Sequence, residues 1–296
     1  MANFDPAANI LLSFVEAKGG QITLPPDGSA DPLLSLLQVI AFFFAWAGCW
    51  LPLAIVCANA IDWRPPKPLS AEQKLPLLAS LYLIAPLVLW GASSVIGASF
   101  SDYGFAWNPW ILRSAGAGFG FGVLSLVVLF GIQTALGWVT WQPAEWQRLA
   151  SVLLLTLLLA VWVSGIEELV FRGFVLNQLQ QDYQTVAAAA ISSLIFALLH
   201  LVWERRETMP QLPGLWLMGM ILVLARYVDG GSLGLAWGLH AGWVWAIASL
   251  DSAQLITYTG IGSEWVTGKN GKPLAGAGGI FCLLATGGIL WWFSVY

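Results

Sequence analysis

Two adjacent carboxylates, Glu167 and Glu168, and a guanidinium, Arg172, stand inside the apolar stretch LLLTLLLAVWVSGIEELVFRGFVL. The only two histidines, His200 and His240, lie in separate apolar runs further on. An ionisable side chain at the centre of a bilayer costs about 2.5–3.5 kcal/mol on insertion scales, so such groups persist where they pair, line a wet cavity or do chemistry. A carboxylate can take a proton from water, and an imidazole can hold that water or relay its proton. One Glu and two His also make a zinc set with an open water position, although no HExxH is present. These five residues predict a polar site built inside a membrane.

Helices must carry them to one place. The fourth apolar run continues past its acids to about Gln180 and turns at QDYQ into the fifth. Glu167 lies 14 residues before Gln181, and His200 lies 16 residues after Gln184. At 1.5 Å per residue both stand roughly 21–24 Å from that turn, so an antiparallel pair brings them level. The fourth helix then exceeds 30 residues and has to tilt, kink at Gly165 or Gly173, or project from the core. His240 enters the same layer from the seventh run. Glu168 and Arg172 share one helix face at i,i+4, in the better order for an ion pair, and read as a structural clamp. Glu167, rotated about 100° away, has no local partner and is expected to face His200.

Composition sets the fold class. The chain is 58% hydrophobic and 9% charged, with a mean hydropathy of +0.75, against about 25% charged residues in soluble domains. The expectation is an all-α, polytopic transmembrane bundle of about eight spans. Their approximate limits are Leu33–Ala58, Leu75–Ala98, Ile111–Trp138, Leu149 onward, Thr185–Val202, Leu212–Val228, Ser232–Leu250 and Gly278–Trp292. Four regions follow: an extramembrane segment 1–32, helices 33–148, a core 149–250, and a long loop with a last helix, 251–296. Ile10–Val15 reads as a short surface helix. The segment around it lacks a basic stretch, so it reads as neither signal nor transit peptide.

The net charge of −4 is spread thinly without a basic run, which argues against a nucleic-acid partner. Cys49 and Cys57 would lie about 12 Å apart on one helix, and Cys282 is remote, so all three read as buried small hydrophobes. Gly116, Gly118, Gly120 and Gly122 read as helix-packing residues. Loops 1–2, 3–4, 5–6 and 7–8 carry eight cations, Arg64, Lys67, Lys74, Arg148, Arg205, Arg206, Lys269 and Lys272. The opposite side carries Lys18, Arg113, Arg172 and Arg226, so the first set is expected in the cytoplasm.

EELVFR (Glu167–Arg172, then Gly173), FALLH (Phe196–His200) and GLHAGWVW around His240 resemble, in order, the motifs of the CPBP family. These are the CAAX prenyl endopeptidases and bacteriocin-processing (Abi) proteins, and the resemblance covers about Leu149–Leu250. It implies an intramembrane endopeptidase in which Glu167 is the general base, His200 holds the attacking water and His240 sits near the developing oxyanion. Glu168, Arg172 and Phe196 are then supporting residues. The resemblance favours a site without a metal, with zinc on Glu167, His200 and His240 as the alternative. It departs at Val244, where proteolytic members usually carry Asn or another polar residue. The oxyanion donor is then His240 alone, or an N–H from Trp243, Trp245 or Asn177.

The alternatives are a non-catalytic scaffold or immunity-type protein of the same fold, and a proton-coupled carrier. Expected partners are the lipid bilayer and a peptide or protein substrate, lipidated or membrane-embedded. The expected location is a prokaryotic inner (plasma) membrane, or a thylakoid if the source is photosynthetic.

Overall fold

A computed structural model describes residues 32–64, 67 and 69–295. The expected helix at Ile10–Val15, and the extramembrane segment up to residue 31, lie outside the described residues. The chain runs through α1 (Pro32–Ala60), α2 (Ala71–Ile96), α3 (Pro109–Ala135), β1 (Val139–Trp141) and α4 (Trp146–Glu167). A π-helical segment, Glu168–Val175, continues α4 into the short α5 (Leu176–Leu179). Then come α6 (Thr185–Leu199), α7 (Leu201–Thr208), α8 (Leu212–Val228), α9 (Gly234–Ala253), β2 (Ile256–Tyr258), α10 (Glu264–Thr267) and α11 (Ala277–Val295).

Local chemistry sets the helix starts. Ser70 and Gln73 form a reciprocal capping box at the head of α2, satisfying two backbone donors that the helix cannot use. Asn108 caps α3 by accepting from Trp110 and Ile111, with Pro109 as the first helical residue. Pro at that place gives up no helical hydrogen bond.

Among the described residues, six helical runs are long and apolar enough to cross a membrane, so the chain is a multi-pass membrane protein. They are α1, α2, α3, the run α4–α5, the run α7–α8, and α11. Two of the eight expected spans fall outside this set. The helix α6 has 15 residues, about 22 Å of rise against a hydrocarbon core of about 30 Å. The helix α9 has 20 residues but spends many on glycine, histidine, serine and aspartate. The all-α expectation holds, and one short ribbon is added to the helices. β1 and β2 pair antiparallel, with Val139 opposite Tyr258 and Trp141 opposite Ile256, tying the loop after α3 to the loop after α9.

Contacts between loops define two ends of the bundle. One end holds the β1–β2 ribbon, the Lys74–Glu204 ion pair, Arg148 on Gln254 at 3.0 Å and Lys272 on Asp251 at 2.9 Å. The other holds the Asn177 amide on the Asp102 carbonyl (2.9 Å), Leu233 N on Gly104 O (2.9 Å) and Ser35 N on Asp182 (3.0 Å). Two hydrogen bonds from Ser99 hold the Asp102 carboxyl below its usual range and so fix that loop.

The closest helix packing joins α9 to α3. A Cβ on Gly238 would run into the Ala115 carbonyl oxygen, and one on Gly118 into that of Leu235. Gly242 and Gly122 leave only 2.5 and 2.6 Å to the carbonyls of Phe119 and Leu239. The pairs advance together along both chains, so the helices are parallel. Without a hydrophobic drive between helices in lipid, such small-residue strips let backbones approach and gain dispersion contact. Gly116 and Gly120 face open space, so only two of the four expected packing glycines of α3 do this work, the two on its α9 face.

The cysteine expectation is also corrected. All three are free, but Cys49 is exposed and Cys57 and Cys282 are half-buried. On the outside of a membrane bundle an apolar side chain meets lipid, so it has no need of burial.

Gly238→Ala should lower thermal stability by about 1–3 kcal/mol, the usual cost of overpacking. Gly120→Ala, on the open face, should be neutral or slightly stabilising. Circular-dichroism melts in detergent micelles test both, and equal melts would refute the assignment of this interface.

Candidate functional site

The α-helical ladder of α4 gives way to π-helical geometry at Glu168, so all of Glu168–Val175 lies in wider turns. Every residue of the segment is buried. Such i→i+5 turns are rare and often mark functional positions. The long fourth run therefore stays continuous to Leu179 rather than breaking at Gly165 or Gly173. Two carbonyls within the segment take side-chain donors from neighbouring helices. Ser192 of α6 donates to Phe171 O at 2.9 Å, and Arg226 of α8 donates to Arg172 O. Gly173 leaves room for Tyr103, whose Cβ would stand 3.0 Å from a Cβ placed there.

Glu168 is fully buried. Its Oε1 accepts from Arg172 Nη1 at 3.1 Å and pairs with His240 Nδ1 at 2.7 Å. An unpaired buried carboxylate is strongly disfavoured, and here one oxygen is shared by a cation of its own helix and an imidazole from α9. The clamp expected from i,i+4 spacing exists, and it also fixes His240. Arg172 lies over the Phe196 ring with Cζ 4.3 Å from the centroid, a cation–π contact in a desolvated setting. The same ring stands edge-on to Phe171 (5.2 Å), His200 (4.6 Å) and His240 (6.0 Å). Phe196 is thus the wall that both histidines share.

With Nδ1 held by Glu168, His240 turns Nε2 toward Glu167, 3.6 Å from Oε2. That is an ion-pair distance and too long for a hydrogen bond. Glu167 is 7% exposed, and its Oε1 accepts from the Tyr82 hydroxyl of α2. The imidazole joined to Glu167 is therefore His240, where the spacing argument expected His200. His200 stands half-buried at the junction of α6 and α7, its Nδ1 2.8 Å from Phe196 O. Among the described residues no hydrogen bond or ion pair joins it to Glu167, Glu168 or His240. It reaches the site through the Phe196 ring.

The other expected donors are engaged elsewhere. Trp243 Nε1 donates to Ser125 Oγ (2.9 Å), Trp245 Nε1 to Leu153 O (3.0 Å) and Asn177 Nδ2 to Asp102 O (2.9 Å). Val244 is half-buried and apolar. Among the described residues no three His, Cys, Asp or Glu gather as a metal set. Arg226, expected as a loop charge, is buried and donates to Arg172 O, Asn177 Oδ1 (2.8 Å) and Gly231 O (3.1 Å). It belongs to the scaffold of the π segment.

Tyr82 is the site residue that the spacing of polar groups missed. It sits in an apolar run, SLYLIAP, where a tyrosine reads as bulk, and nothing in the sequence ties that run to Glu167.

Residues 148–246 match the family model described as Type II CAAX prenyl endopeptidase Rce1-like. That segment is an Rce1-like domain. No curated protein and no solved structure matches the chain. The Rce1-like domain contains Glu167, Glu168, Arg172, Phe196, His200 and His240. Tyr82 and the α3 glycine strip lie outside it and still touch its central groups.

Arg172→Ala should destabilise the protein by about 3–5 kcal/mol, because it strands a buried carboxylate. Arg172→Lys should recover only part of this, since an ammonium lacks the planar face that lies on Phe196. Unfolding of the two variants in mixed micelles, followed by tryptophan fluorescence, measures the difference. Wild-type stability in Arg172→Ala would remove the clamp from the account.

Proposed function

We propose that the chain is an intramembrane endopeptidase that hydrolyses a peptide bond with water activated by Glu167. The observation that carries this reading is the buried Glu167 carboxylate. One oxygen is tied to Tyr82, and the other stands 3.6 Å from an imidazole that Glu168 orients. Glu167 Oε2 takes a proton from water as the hydroxyl oxygen bonds to the scissile carbonyl carbon. His240, whose Nδ1–H is donated to the Glu168 carboxylate, acts as the doubly protonated imidazolium and donates from Nε2 to the oxygen that gains the electron pair. The C–N bond then breaks, and the proton held by Glu167 passes to the leaving nitrogen. His200, which packs against the same Phe196 ring as His240, completes the water-holding wall. Glu168 and Arg172 position His240, and Tyr82 positions Glu167. Placed away from bulk water, each contact to developing charge gains strength.

The substrate is a peptide or protein, and a lipidated or membrane-embedded segment suits a site at this depth. We place the catalytic core at 149–250, with 33–148 as supporting helices and 251–296 as a loop and closing helix. All eight expected runs cross the membrane in this reading, α6 and α9 inside a sleeve of longer helices. With Arg172 and Arg226 buried in the site, Arg113 in the first turns of α3 is the cation left, among the described residues, on the side opposite the β1–β2 ribbon. The ribbon end then faces the cytoplasm, and the host is a prokaryotic inner membrane or a thylakoid.

A non-catalytic membrane scaffold is the second reading. It is favoured by Val244 and by the three candidate donors committed elsewhere.

Glu167→Ala should lower cleavage by about 10²–10⁴-fold, the usual worth of a general base, and His200→Ala and His240→Ala should also cut turnover. Comparing membrane peptides by mass spectrometry between wild-type and Glu167→Ala cells both tests this and finds the substrate. Unchanged cleavage, or a cellular phenotype that survives Glu167→Ala, would favour the scaffold. Val244→Asn should raise turnover or leave it unchanged; a sharp loss would mean that the pocket is packed for another purpose.

A further inference from the structure

A concavity distinct from the glutamate–histidine site opens at the ribbon end of the bundle. Arg205 and Arg206 of α7, Met209 and Pro210 of the following turn, and Lys269 of the long loop line a cavity of about 570 Å³. Its lining holds three cations and no acid. All three are exposed, and none forms an ion pair among the described residues. Two acids flank the arginines in sequence, Glu204 and Glu207, and Glu204 is the residue where α7 departs from helical geometry (φ −143°, ψ 63°). The Glu204 carboxylate is taken by Lys74 of α2, and Glu207 pairs with neither arginine and is not part of the cavity lining.

The apolar side of the cavity indicates what would fill it. Met209 is 49% exposed and Val202 of α7 70%, and the chain passes through Pro210 directly into the membrane-spanning α8. The cavity therefore stands where a spanning helix leaves the hydrocarbon, at the level of lipid phosphates. Arginine pairs match phosphate oxygens in a planar, two-pronged way, and basic clefts between membrane helices on the positively charged side take anionic headgroups.

We propose that Arg205, Arg206 and Lys269 bind the phosphate of an anionic phospholipid, with Met209 and Pro210 against its glycerol and upper acyl chains. A zwitterionic headgroup would bring its own ammonium toward three cations and is disfavoured. A free phosphate would leave the apolar margin uncovered. Because α7 begins next to His200, the bound lipid would brace the helix that carries one wall of the site. This assignment does not depend on the protease reading.

The test is native mass spectrometry of the full-length protein in detergent. It is titrated with phosphatidylglycerol, phosphatidylcholine, inorganic phosphate, or a short peptide with a free C-terminal carboxylate. Phosphatidylglycerol should bind at least tenfold more tightly than phosphatidylcholine. Arg205→Gln, Arg206→Gln and Lys269→Gln should each weaken it about fivefold, and the triple variant should lose the preference. Arg148→Gln, which removes an exposed cation elsewhere on the same end, should keep it. The single variants preserve the test should the triple variant not fold. Equal binding of the two lipids, or a preference that survives the triple substitution, would overturn the proposal. Saturation of the site by phosphate or by the peptide, without displacement by phosphatidylglycerol, would overturn it too.

Discussion

Glu168 is wholly buried, and its carboxylate oxygen is held by Arg172 four residues on and by His240, 72 residues on in a different helix. A charge in this position has to be matched within the protein, because neither lipid nor neighbouring apolar side chains can solvate it. The requirement joins two helices at one height and one rotation. It also spends the Nδ1 atom of His240, which leaves Nε2 as the nitrogen that meets Glu167. The orientation of the candidate catalytic pair thus follows from the way its buried neighbour is neutralised.

His240 can reach Glu168 only if α9 comes close, and the glycine strips of α3 and α9 allow that. Backbone meets backbone at Gly118, Gly122, Gly238 and Gly242, while Trp237 and Trp245 of α9 donate to carbonyls of α4 on its other side (2.8 and 3.0 Å). The helix is held between a flat surface and a hydrogen-bonded one. The first half of the chain therefore does more than anchor the Rce1-like domain. It supplies the flat surface through α3 and, through Tyr82 of α2, the hydroxyl on Glu167.

The π segment contributes the local part of this geometry. Adjacent residues of a helix point about 100° apart, so the two acids at the entry to the wider turns of Glu168–Val175 serve different partners. Glu167 turns to α2 and to His240 Nε2, and Glu168 to Arg172 and His240 Nδ1. Ser192 and Arg226 stabilise the segment by taking its carbonyls, which a regular ladder would have used internally. A buried arginine spent on a main-chain carbonyl in this way has a structural task, whatever its place in a count of loop charges.

Much of this was legible in the sequence, because a membrane makes polar residues conspicuous. Apolar length marked the spans, and the cost of burying charge singled out Glu167, Glu168, Arg172 and His240 before any contact was known. Spacing of i,i+4 was enough to read the Glu168–Arg172 clamp. Partner choice was not legible, since it depends on helix rotation and on which helices adjoin. Counting residues from a turn matched His200 to Glu167 in height, yet the wider turns of the π segment and the approach of α9 brought His240 there instead. Tyr82 had no signal, because an isolated tyrosine in an apolar run is silent until another helix lies against it. The sequence by itself determined that this is a multi-pass helical membrane protein with charged groups sheltered inside it, since hydropathy and burial cost are properties of residue types. Only the tertiary structure decided which group faces which, because that is set by close backbone approach at glycines and by the pairing of one buried carboxylate.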